Sequence, residues 1–219
     1  MRIGIIGAGR IGGNAARLLA GAGHEVKLSF ARDPRKLADL ASEIGERAST
    51  GSPAEAAEFG QVVVLSVPWG TIDDALGQAG SLAGKIVIDT TNQFGPGPKP
   101  PEGQTAAQLN AARMPGARYT KSFNTLTSAF QAAAAGRTGP DRVVLFLCGD
   151  DAEAKRVVAE LIEDAGFAAV DLGGTSDAAV MEAPRRDGAV YGEEYRRPEA
   201  EAVVEAVRGG RPIPPTPSY

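Results

Sequence analysis

The residues that most constrain the fold stand at the start of the chain, in the stretch MRIGIIGAGRIGG. A short apolar run ends in Gly7-Ala8-Gly9-Arg10-Ile11-Gly12, and an Ala- and Leu-rich run follows directly. A G-x-G-x-x-G between a strand and a helix is typical of a dinucleotide-binding turn. We expect Gly7 to permit the tight turn, Gly9 to let the backbone approach a pyrophosphate, and Gly12 to let helix and strand pack closely. The alternative is a glycine-rich turn that binds no ligand.

The rest of the chain continues this alternation of apolar runs and helical stretches. The pattern predicts an α/β fold: a Rossmann-type, doubly wound, mostly parallel sheet with helices on both faces, plus a short C-terminal helical appendage. Two apolar runs, VVVLSV and KIVID, are typical of strands buried on both faces. The predicted strands are Arg2–Ile6, Glu25–Phe30, Gln61–Val67, Lys85–Asp89, Arg118–Phe123, Arg142–Cys148 and Ala168–Leu172. The predicted helices are Arg10–Ala22, Pro34–Ile44, Pro53–Glu58, Ile72–Ala79, Thr105–Arg113, Asp150–Ala165 and Pro198–Arg208.

The pattern divides the chain into three parts. Residues 1–172 are expected to form the nucleotide-binding domain, and residues 173–208 an appendage that contributes to a substrate pocket or to a homodimer contact. Residues 209–219 are rich in proline and glycine, which predicts a disordered tail. For the same reason residues 94–103, FGPGPKPPEG, are predicted to form a loop after a strand.

Composition excludes several classes of partner and compartment. A net charge of −4 argues against a nucleic-acid partner, since such partners need a basic face. No run approaches the ~20 apolar residues that cross a bilayer, so no membrane association is expected. Cys148 is the single cysteine, which fits a reducing compartment, and we predict that it is a small buried apolar residue. The N-terminus lacks a signal-peptide pattern, so a cytoplasmic location is expected.

The end of the second predicted strand indicates which dinucleotide binds. A site selective for NAD usually has Asp or Glu about twenty residues beyond the glycines, where it accepts from the ribose 2′-hydroxyl. This chain has Arg32 there, followed by Arg35 and Lys36. Three cations suit a 2′-phosphate, which favours NADP, while Asp33 is better used as a helix cap. The alternative is that these are ordinary solvated charges.

Polar residues follow three other predicted strands, at the sheet edge where ligands of open α/β folds bind. Asn92 and Asn124 can hydrogen-bond a ribose or a carboxamide, and Trp69 can form a wall of the pocket. The alternative for each is a role in a turn or in core packing. The three segments are Ser66–Trp69, Asp89–Asn92 and Lys121–Thr125.

The chain offers few groups for acid-base or metal chemistry. His24 is the single histidine, in a turn at the opposite sheet edge, and one His with one Cys cannot supply the usual metal ligands. A carbonyl reductase normally needs a positioned acid. Hydride exchange with a flavin-like ring does not, because that ring delocalises the charge and the protein mainly aligns the two rings. We therefore expect no catalytic acid-base residue, no metal, and a flavin-type partner; the alternative is a proton donor such as Lys121 or a tyrosine.

The ordered motifs resemble those of a known family. The stretches IGIIGAGRIGG, GHEVKLSFAR, VVVLSVPW, VIDTTN, KSFNTL and FLCGDDAEAK fall in the order seen in the NADPH-dependent deazaflavin-coenzyme reductases, the NADP:F420 oxidoreductase-like proteins. The same nucleotide-binding fold occurs in pyrroline-5-carboxylate reductases and in the cytosolic domains of membrane metalloreductases. The resemblance covers residues 2–172, while residues 173–219 match weakly.

The resemblance implies how a cofactor would lie. NADP(H) would lie across Gly7–Gly12, with its 2′-phosphate at Ser29 and Arg32. Its nicotinamide would lie near Pro68, Asn92 and the Phe123–Asn124 turn, with a deazaflavin (coenzyme F420) or a flavin stacked against it. Together the motifs and the resemblance predict the cofactor-binding residues Gly7, Ala8, Gly9, Arg10, Ile11, Gly12, Ser29, Phe30, Arg32, Arg35, Lys36, Ser66, Val67, Pro68, Trp69, Asn92, Phe123 and Asn124.

The expected function is therefore hydride transfer between NADP(H) and a deazaflavin or flavin, a small-molecule redox substrate. Two alternatives remain open. The first is an NADPH-dependent imine or carbonyl reductase of a specialised pathway, with residues 173–219 contributing to the pocket. The second is a non-catalytic protein that binds or senses the dinucleotide.

Overall fold

The computed structural model describes residues 1–30, 33–185 and 187–219. These residues form an eight-stranded sheet and the helices that pack on it. The strands are β1 (Arg2–Ile6), β2 (Glu25–Ser29), β3 (Ala48–Thr50), β4 (Val62–Leu65), β5 (Ile86–Asp89), β6 (Arg118–Lys121), β7 (Val144–Gly149) and β8 (Ala168–Gly173). The helices are α1 (Arg10–Gly21), α2 (Pro34–Ile44), α3 (Pro53–Phe59), α4 (Ile72–Ala79), α5 (Ala106–Arg113), α6 (Ser128–Ala134), α7 (Ala152–Asp164) and α8 (Arg197–Arg208). None of the helices in the described ranges is long and apolar enough to cross a membrane.

The strand order identifies the ligand-binding edge of the sheet. The order is β3-β2-β1-β4-β5-β6-β7-β8, and the pairs are parallel except for β6 with β7. After β1 the chain builds outward to β3, and then returns to place β4 on the other side of β1. Such a reversal opens a crevice beyond the carboxyl ends of the two central strands. The predicted Rossmann-type fold is confirmed.

Both faces of the central strands are covered by apolar side chains. In β4, Val63 and Leu65 join one core cluster and Val62 and Val64 join the other. All four residues of β5 are buried as well. Successive side chains of a strand point to opposite faces of the sheet. A strand can therefore be apolar throughout only when both faces are covered, which explains the uninterrupted apolar runs of β4 and β5.

Local capping signals set the starts of two helices. The Asp33 carboxylate accepts a hydrogen bond from the Arg35 amide at the start of α2. Ser52 and Glu55 form a reciprocal capping box at the start of α3: the Glu55 amide donates to the Ser52 hydroxyl, and the Ser52 amide donates to the Glu55 carboxylate. Such caps satisfy amides that the first helical turn leaves unpaired. The predicted use of Asp33 as a cap is confirmed.

One strand and one α-helix of the described residues were absent from the sequence-based prediction. β3 has three residues, too few for a periodic pattern, and it exists because Ala48 to Thr50 pair with β2. Helix α6 is short, and the hydroxyl of Thr127 caps it by accepting from the Phe130 amide. The Thr127 cap before an Ala-rich run was the available signal for α6.

The C-terminal part of the chain returns to the ligand-binding edge before it ends. A 3-10 helix, Thr175–Met181, follows β8, and an irregular segment then leads to α8. Val203 and Ala200 of α8 are fully buried, and this helix packs against β8. Beyond α8, the Tyr219 hydroxyl accepts from the Arg196 amide, and the Arg196 guanidinium lies 4.0 Å from the Tyr219 ring centroid. The three-part division of the chain stays a prediction.

Cys148 lies in β7 and is fully buried, as predicted. Burial raises the pKa of its thiol to about 12. Since the thiolate is the reactive form, this thiol is inert at neutral pH and acts as a packing residue.

Candidate functional site

A cleft of about 950 Å³ opens beyond the carboxyl ends of β1 and β4. Its position matches the crevice that the strand order creates, where ligands of open α/β folds bind. Half of the predicted cofactor-binding residues line it, and further residues from α2, α4 and the segment after β3 complete it. The lining residues are Gly7, Ala8, Gly9, Arg10, Phe30, Asp33, Lys36, Leu37, Gly51, Pro53, Ser66, Val67, Pro68, Thr71, Asp74 and Gln78.

The glycine turn combines two tightly packed positions with one open position. Gly7 has φ +101°, and a Cβ there would lie 2.3 Å from the Ser66 carbonyl oxygen. A Cβ at Gly12 would lie 2.0 Å from the Gly7 carbonyl oxygen. At Gly9, by contrast, a Cβ would meet no described atom within 4 Å. The turn therefore needs Gly7 and Gly12 for its own packing, while Gly9 keeps free space beside the backbone.

The start of α1 faces this free space. Gly9 is the N-cap of α1, and no side chain of the described residues caps the first amides of the helix. The helix N-terminus carries a partial positive charge, and unpaired amides bind anionic oxygens. Open space above Gly9 and free amides beside it fit the pyrophosphate of a dinucleotide. Ile11, a predicted cofactor-binding residue, is partly buried and packs against the apolar core.

Among the described residues, two cations line the cleft. Arg10 and Lys36 are exposed and line the cleft. Arg35 is exposed too, but its guanidinium Nε lies 3.2 Å from the Asp33 carboxylate, in an ion pair on the surface. Arg32, the central residue of the predicted 2′-phosphate site, lies outside the described residues.

Ser29 occupies a different place from the one the resemblance implied. It is fully buried, and its hydroxyl donates to the Ile5 carbonyl oxygen at 2.9 Å. It is not among the described residues that line the cleft. Phe30, the next residue, lines the cleft with φ +55°, a left-handed conformation that is uncommon for a bulky side chain. Such outliers cluster at ligand sites, where the surrounding structure offsets their cost.

The residues that follow β4 line two different cavities. Ser66, Val67 and Pro68 line the large cleft, and the Thr90 hydroxyl donates to the Ser66 hydroxyl at 2.9 Å. Trp69 is buried, and its indole nitrogen donates to the Pro98 carbonyl at 2.8 Å. It lines a neighbouring cavity of about 420 Å³ instead. Trp69 thus holds the 94–103 loop in place rather than forming a wall of the large cleft.

Asn92 and Asn124 are joined side by side, although they follow different strands. Asn92 Nδ2 donates to the Asn124 carbonyl at 2.8 Å, and Asn124 Nδ2 lies 3.3 Å from Asn92 Oδ1. The C-terminal segment closes the group, because the Ala183 amide donates to Asn92 Oδ1 and Asn124 Nδ2 donates to the Met181 carbonyl. Asn124 Oδ1 is buried and has no hydrogen-bond partner among the described residues. An amide N–H of a ligand could satisfy this acceptor. Neither asparagine is among the described residues that line the large cleft.

Phe123 has a left-handed backbone, with φ +58°, immediately before Asn124. Its ring is buried, and its carbonyl accepts from the Gln131 side chain at 3.0 Å. The same amide group also donates to the Leu126 carbonyl at 2.9 Å. These two hydrogen bonds hold the turn in its left-handed conformation, and the turn sets the position of Asn124. Phe123 therefore positions Asn124 through its backbone, while its ring packs in the core.

A buried polar network below the asparagines was not predicted as a unit. Asp89 Oδ2 accepts from the Tyr119 hydroxyl at 2.6 Å and from Asn110 Nδ2 at 2.8 Å, and it lies 3.6 Å from Lys121 Nζ. Lys121 is fully buried, and its Nζ donates to the Thr91 carbonyl at 2.7 Å. The available signal was the register: Asp89 and Lys121 end neighbouring strands and lie opposite each other.

This network fixes the turn that carries Asn92. Burial, and then the Asp89 carboxylate, raise the pKa of Tyr119 well above its usual value, so the phenol stays protonated and donates. Lys121 bonds to the Thr91 carbonyl, one residue before Asn92. Neither Tyr119 nor Lys121 is among the described residues that line the large cleft.

Seven of the cleft residues lie outside the predicted cofactor-binding set. Two of them belong to the α2 region: Asp33, which was predicted only as a helix cap, and Leu37. Thr71 is the N-cap of α4, and Asp74 and Gln78 lie within this helix. Their spacing of three and four residues places the three on one helical face. That spacing was a usable signal. Gly51 and Pro53 line the cleft because they follow β3, which was itself unpredicted.

His24 lies away from the cleft. Its Nδ1 is 2.9 Å from the N-terminal nitrogen of Met1, and its Nε2 is 3.1 Å from the Asp164 carboxylate. It links the N-terminus to α7, as expected for a residue outside the site.

A glycine turn that opens into a cleft at the strand-order reversal defines a Rossmann-type dinucleotide-binding fold. Residues 2–93 match the family described as NADP oxidoreductase, coenzyme F420-dependent. A hypothetical protein from Sinorhizobium meliloti with a known crystal structure is 31% identical in sequence to this chain. The two structures match with a TM-score of 0.77 over 90% of this chain and 95% of that chain. A protein of Arthrobacter sp. FB24, provisionally assigned as an F420-dependent NADP reductase, is 28% identical, with a TM-score of 0.69 over 81% of this chain and 87% of that chain.

The chain belongs to this family of NADP oxidoreductases. It is also 30% identical to the metalloreductase STEAP3 of Rattus norvegicus over 186 residues, which is 83% of this chain and 36% of that protein. The chain thus spans about a third of the length of this curated relative.

Proposed function

We propose that the protein transfers a hydride between NADP(H) and a deazaflavin or flavin. The observation that carries the proposal is the open glycine turn at the head of a cleft of about 950 Å³, in a chain of the NADP oxidoreductase family. The nicotinamide supplies or accepts the hydride, and the deazaflavin or flavin ring delocalises the accompanying charge. The protein's share is to bind both molecules and to align their rings.

Candidate partners for the cofactor lie along the cleft and beside it. The amides at the start of α1 and the space above Gly9 would hold the pyrophosphate. Lys36 and Arg10, with Arg32, would surround the 2′-phosphate. Asn124 Oδ1 would accept from the nicotinamide carboxamide, because it is a buried acceptor without a described partner.

The placement of Lys121 supports a flavin-type acceptor over a carbonyl substrate. A carbonyl or imine reductase needs a proton donor beside the reacting atom. Lys121, the candidate from the sequence, is fully buried and donates to the Thr91 carbonyl beside Asp89. The Lys121 ammonium therefore stabilises the turn that carries Asn92, and it is not placed to donate a proton in the cleft.

The hydride-transfer proposal is tested by mixing the protein, NADPH and oxidised 8-hydroxy-5-deazaflavin under anaerobic conditions. The expected result is loss of the deazaflavin visible absorbance together with oxidation of NADPH. NADPH binding is measured separately by the change in its fluorescence. Bound NADPH with no reduction of deazaflavin, FMN or FAD would exclude the proposed reaction and favour the dinucleotide-sensing alternative. Reduction of an imine or ketone alone would favour the other reductase.

Replacing Arg32 with alanine tests the nucleotide preference. Loss of a charge-assisted hydrogen bond to the 2′-phosphate should weaken NADPH binding by roughly 1–3 kcal/mol and leave NADH binding nearly unchanged. The dissociation constants of both nucleotides are measured by titration calorimetry. Arg156→Ala, which removes an exposed arginine on α7 that pairs with Glu153, serves as the matched control. Equal losses for NADPH and NADH in the Arg32 variant would contradict the phosphate assignment.

A further inference from the structure

Two aromatic side chains meet beside the paired asparagines, although they come from distant parts of the sequence. Phe94 follows Asn92 by two residues, and Tyr191 lies in the irregular segment before α8. Their ring centroids are 6.0 Å apart, and the ring planes are inclined by 55°. Phe94 is 56% exposed, and Tyr191 is partly buried. We call this pair the aromatic shelf.

Backbone hydrogen bonds tie the shelf to the segments of the two asparagines, the proposed nicotinamide site. The Phe94 amide donates to the Asn92 carbonyl at 2.8 Å. On the other side, the Gly192 amide donates to the Thr125 carbonyl at 2.8 Å, one residue beyond Asn124. Each ring is thus carried by a segment bonded to, or beside, one of the two asparagines.

The Tyr191 side of the shelf is held firmly. Val190, the residue before Tyr191, is fully buried, and its amide donates to the Val180 carbonyl at 2.8 Å. The main chain on both sides of Tyr191 is therefore bonded to other segments. A ring held by such a backbone loses little conformational freedom when a ligand binds, which favours recognition.

The surroundings of the shelf suit a flat ring. The nearby Arg185 and Glu193 side chains form an ion pair with each other. Burial raises the pKa of Tyr191, so its phenol is uncharged at neutral pH. The chain neighbours of Phe94, Gln93 and Gly95, line the cavity of about 420 Å³, whereas Phe94 itself is not among its described lining residues. Flat aromatic ligands stack on such rings, and stacking places little demand on hydrogen-bond pattern.

We propose that Phe94 and Tyr191 bind the tricyclic ring of the deazaflavin or flavin substrate and hold it against the nicotinamide. The inference rests on the proposed function, and it assigns the second substrate to residues that the cofactor motifs do not include. It also explains why a segment remote from the Rossmann core, around Tyr191, returns to the ligand-binding edge. In this arrangement the two residues select for a flat ring and take no part in proton transfer.

The test uses the whole 219-residue chain loaded with NADP⁺ and the variants Phe94→Ala, Tyr191→Ala and Tyr191→Phe. Binding of 8-hydroxy-5-deazariboflavin, and separately of FMN, is followed by quenching of ligand fluorescence. Each alanine variant should weaken ring binding roughly five-fold to a hundred-fold, the equivalent of one lost stacking contact. Tyr191→Phe keeps the ring and should bind about as tightly as the wild type. NADPH affinity and the thermal midpoint should not change in any of them.

Tyr219→Ala is the matched control, because Tyr219 is 54% exposed and contacts Arg196 instead of the asparagines. It should leave ring binding unchanged. Tyr191→Phe also separates the shelf from a proton-donor role: loss of turnover with unchanged ring binding in this variant would overturn the proposal.

The outcomes also separate the shelf from hydride transfer itself. Deazaflavin reduction by the wild type, with unaltered ring binding in both alanine variants, would refute the shelf and leave the proposed reaction standing. Ring binding without reduction, weakened in the alanine variants, would support the shelf and exclude the reaction. A wild-type protein that binds neither ring would overturn the shelf, while the anaerobic assay decides the reaction independently.

Discussion

Replacing Gly9 with alanine is expected to leave the protein folded and to lower its NADPH affinity ten-fold or more, about 1.4 kcal/mol. A Cβ at Gly9 meets no described atom within 4 Å, and the residue has φ −78°, outside the left-handed region that strains an alanine. The added methyl group would occupy the space that the pyrophosphate needs. Affinity is measured by titration calorimetry, and folding by circular dichroism and thermal unfolding.

Two other glycines provide controls for this result. Gly12→Ala should destabilise the fold itself by about 1–3 kcal/mol or more, because its Cβ would lie 2.0 Å from the Gly7 carbonyl oxygen. Gly21→Ala, at the end of α1, has free space and should change neither stability greatly nor NADPH affinity. Unchanged NADPH binding in folded Gly9→Ala would show that the dinucleotide does not lie against this turn.

Replacing Asp89 with asparagine is expected to lower the free energy of unfolding by about 3–5 kcal/mol, the usual cost of leaving one partner of a buried ion pair uncompensated. Asp89 and Lys121 are both fully buried, and the Asp89 carboxylate also accepts from Tyr119 and Asn110. The neutral amide removes the charge that faces the Lys121 ammonium. Urea unfolding followed by circular dichroism measures the loss.

The control for this variant is Asp73→Asn, which breaks an ion pair with Arg113 at a position that is 73% exposed. Exposed pairs contribute about 0–1 kcal/mol, so this change should be small. The double variant Asp89→Asn/Lys121→Met should recover part of the lost stability, since it no longer buries an unpaired ammonium. Equal stability losses in the Asp73 and Asp89 variants would show that the buried network contributes little.

Local patterns predicted a large part of the fold because their causes are local. The strand before Gly7 and the helix after it follow from hydrophobic periodicity and from three glycines in a fixed spacing. The cap at Asp33 involves an amide two residues away. β3 escaped prediction because three residues carry no readable period, and they form a strand through pairing with β2.

The candidate site was predictable to the extent that its residues follow strands. The carboxyl ends of parallel strands meet at one edge, so Ser66 to Pro68 could be placed in the cleft from sequence. The direction of each side chain could not. Ser29 lies at the predicted strand end, yet its hydroxyl faces Ile5, and Trp69 faces the 94–103 loop. A serine or a tryptophan at these positions could face the cleft or the protein interior. The residues that surround each side chain in the folded structure decide which of the two it faces.

The sequence by itself determined a dinucleotide turn, a doubly wound sheet and the edge where ligands bind. These features depend on residue type and spacing over a few turns of chain. The tertiary structure alone decided that Lys121 supports a turn instead of reaching the cleft, and that Phe94 meets Tyr191. Those contacts join residues far apart in the chain, and their formation depends on strand register and on the path of the C-terminal segment, which no local pattern specifies.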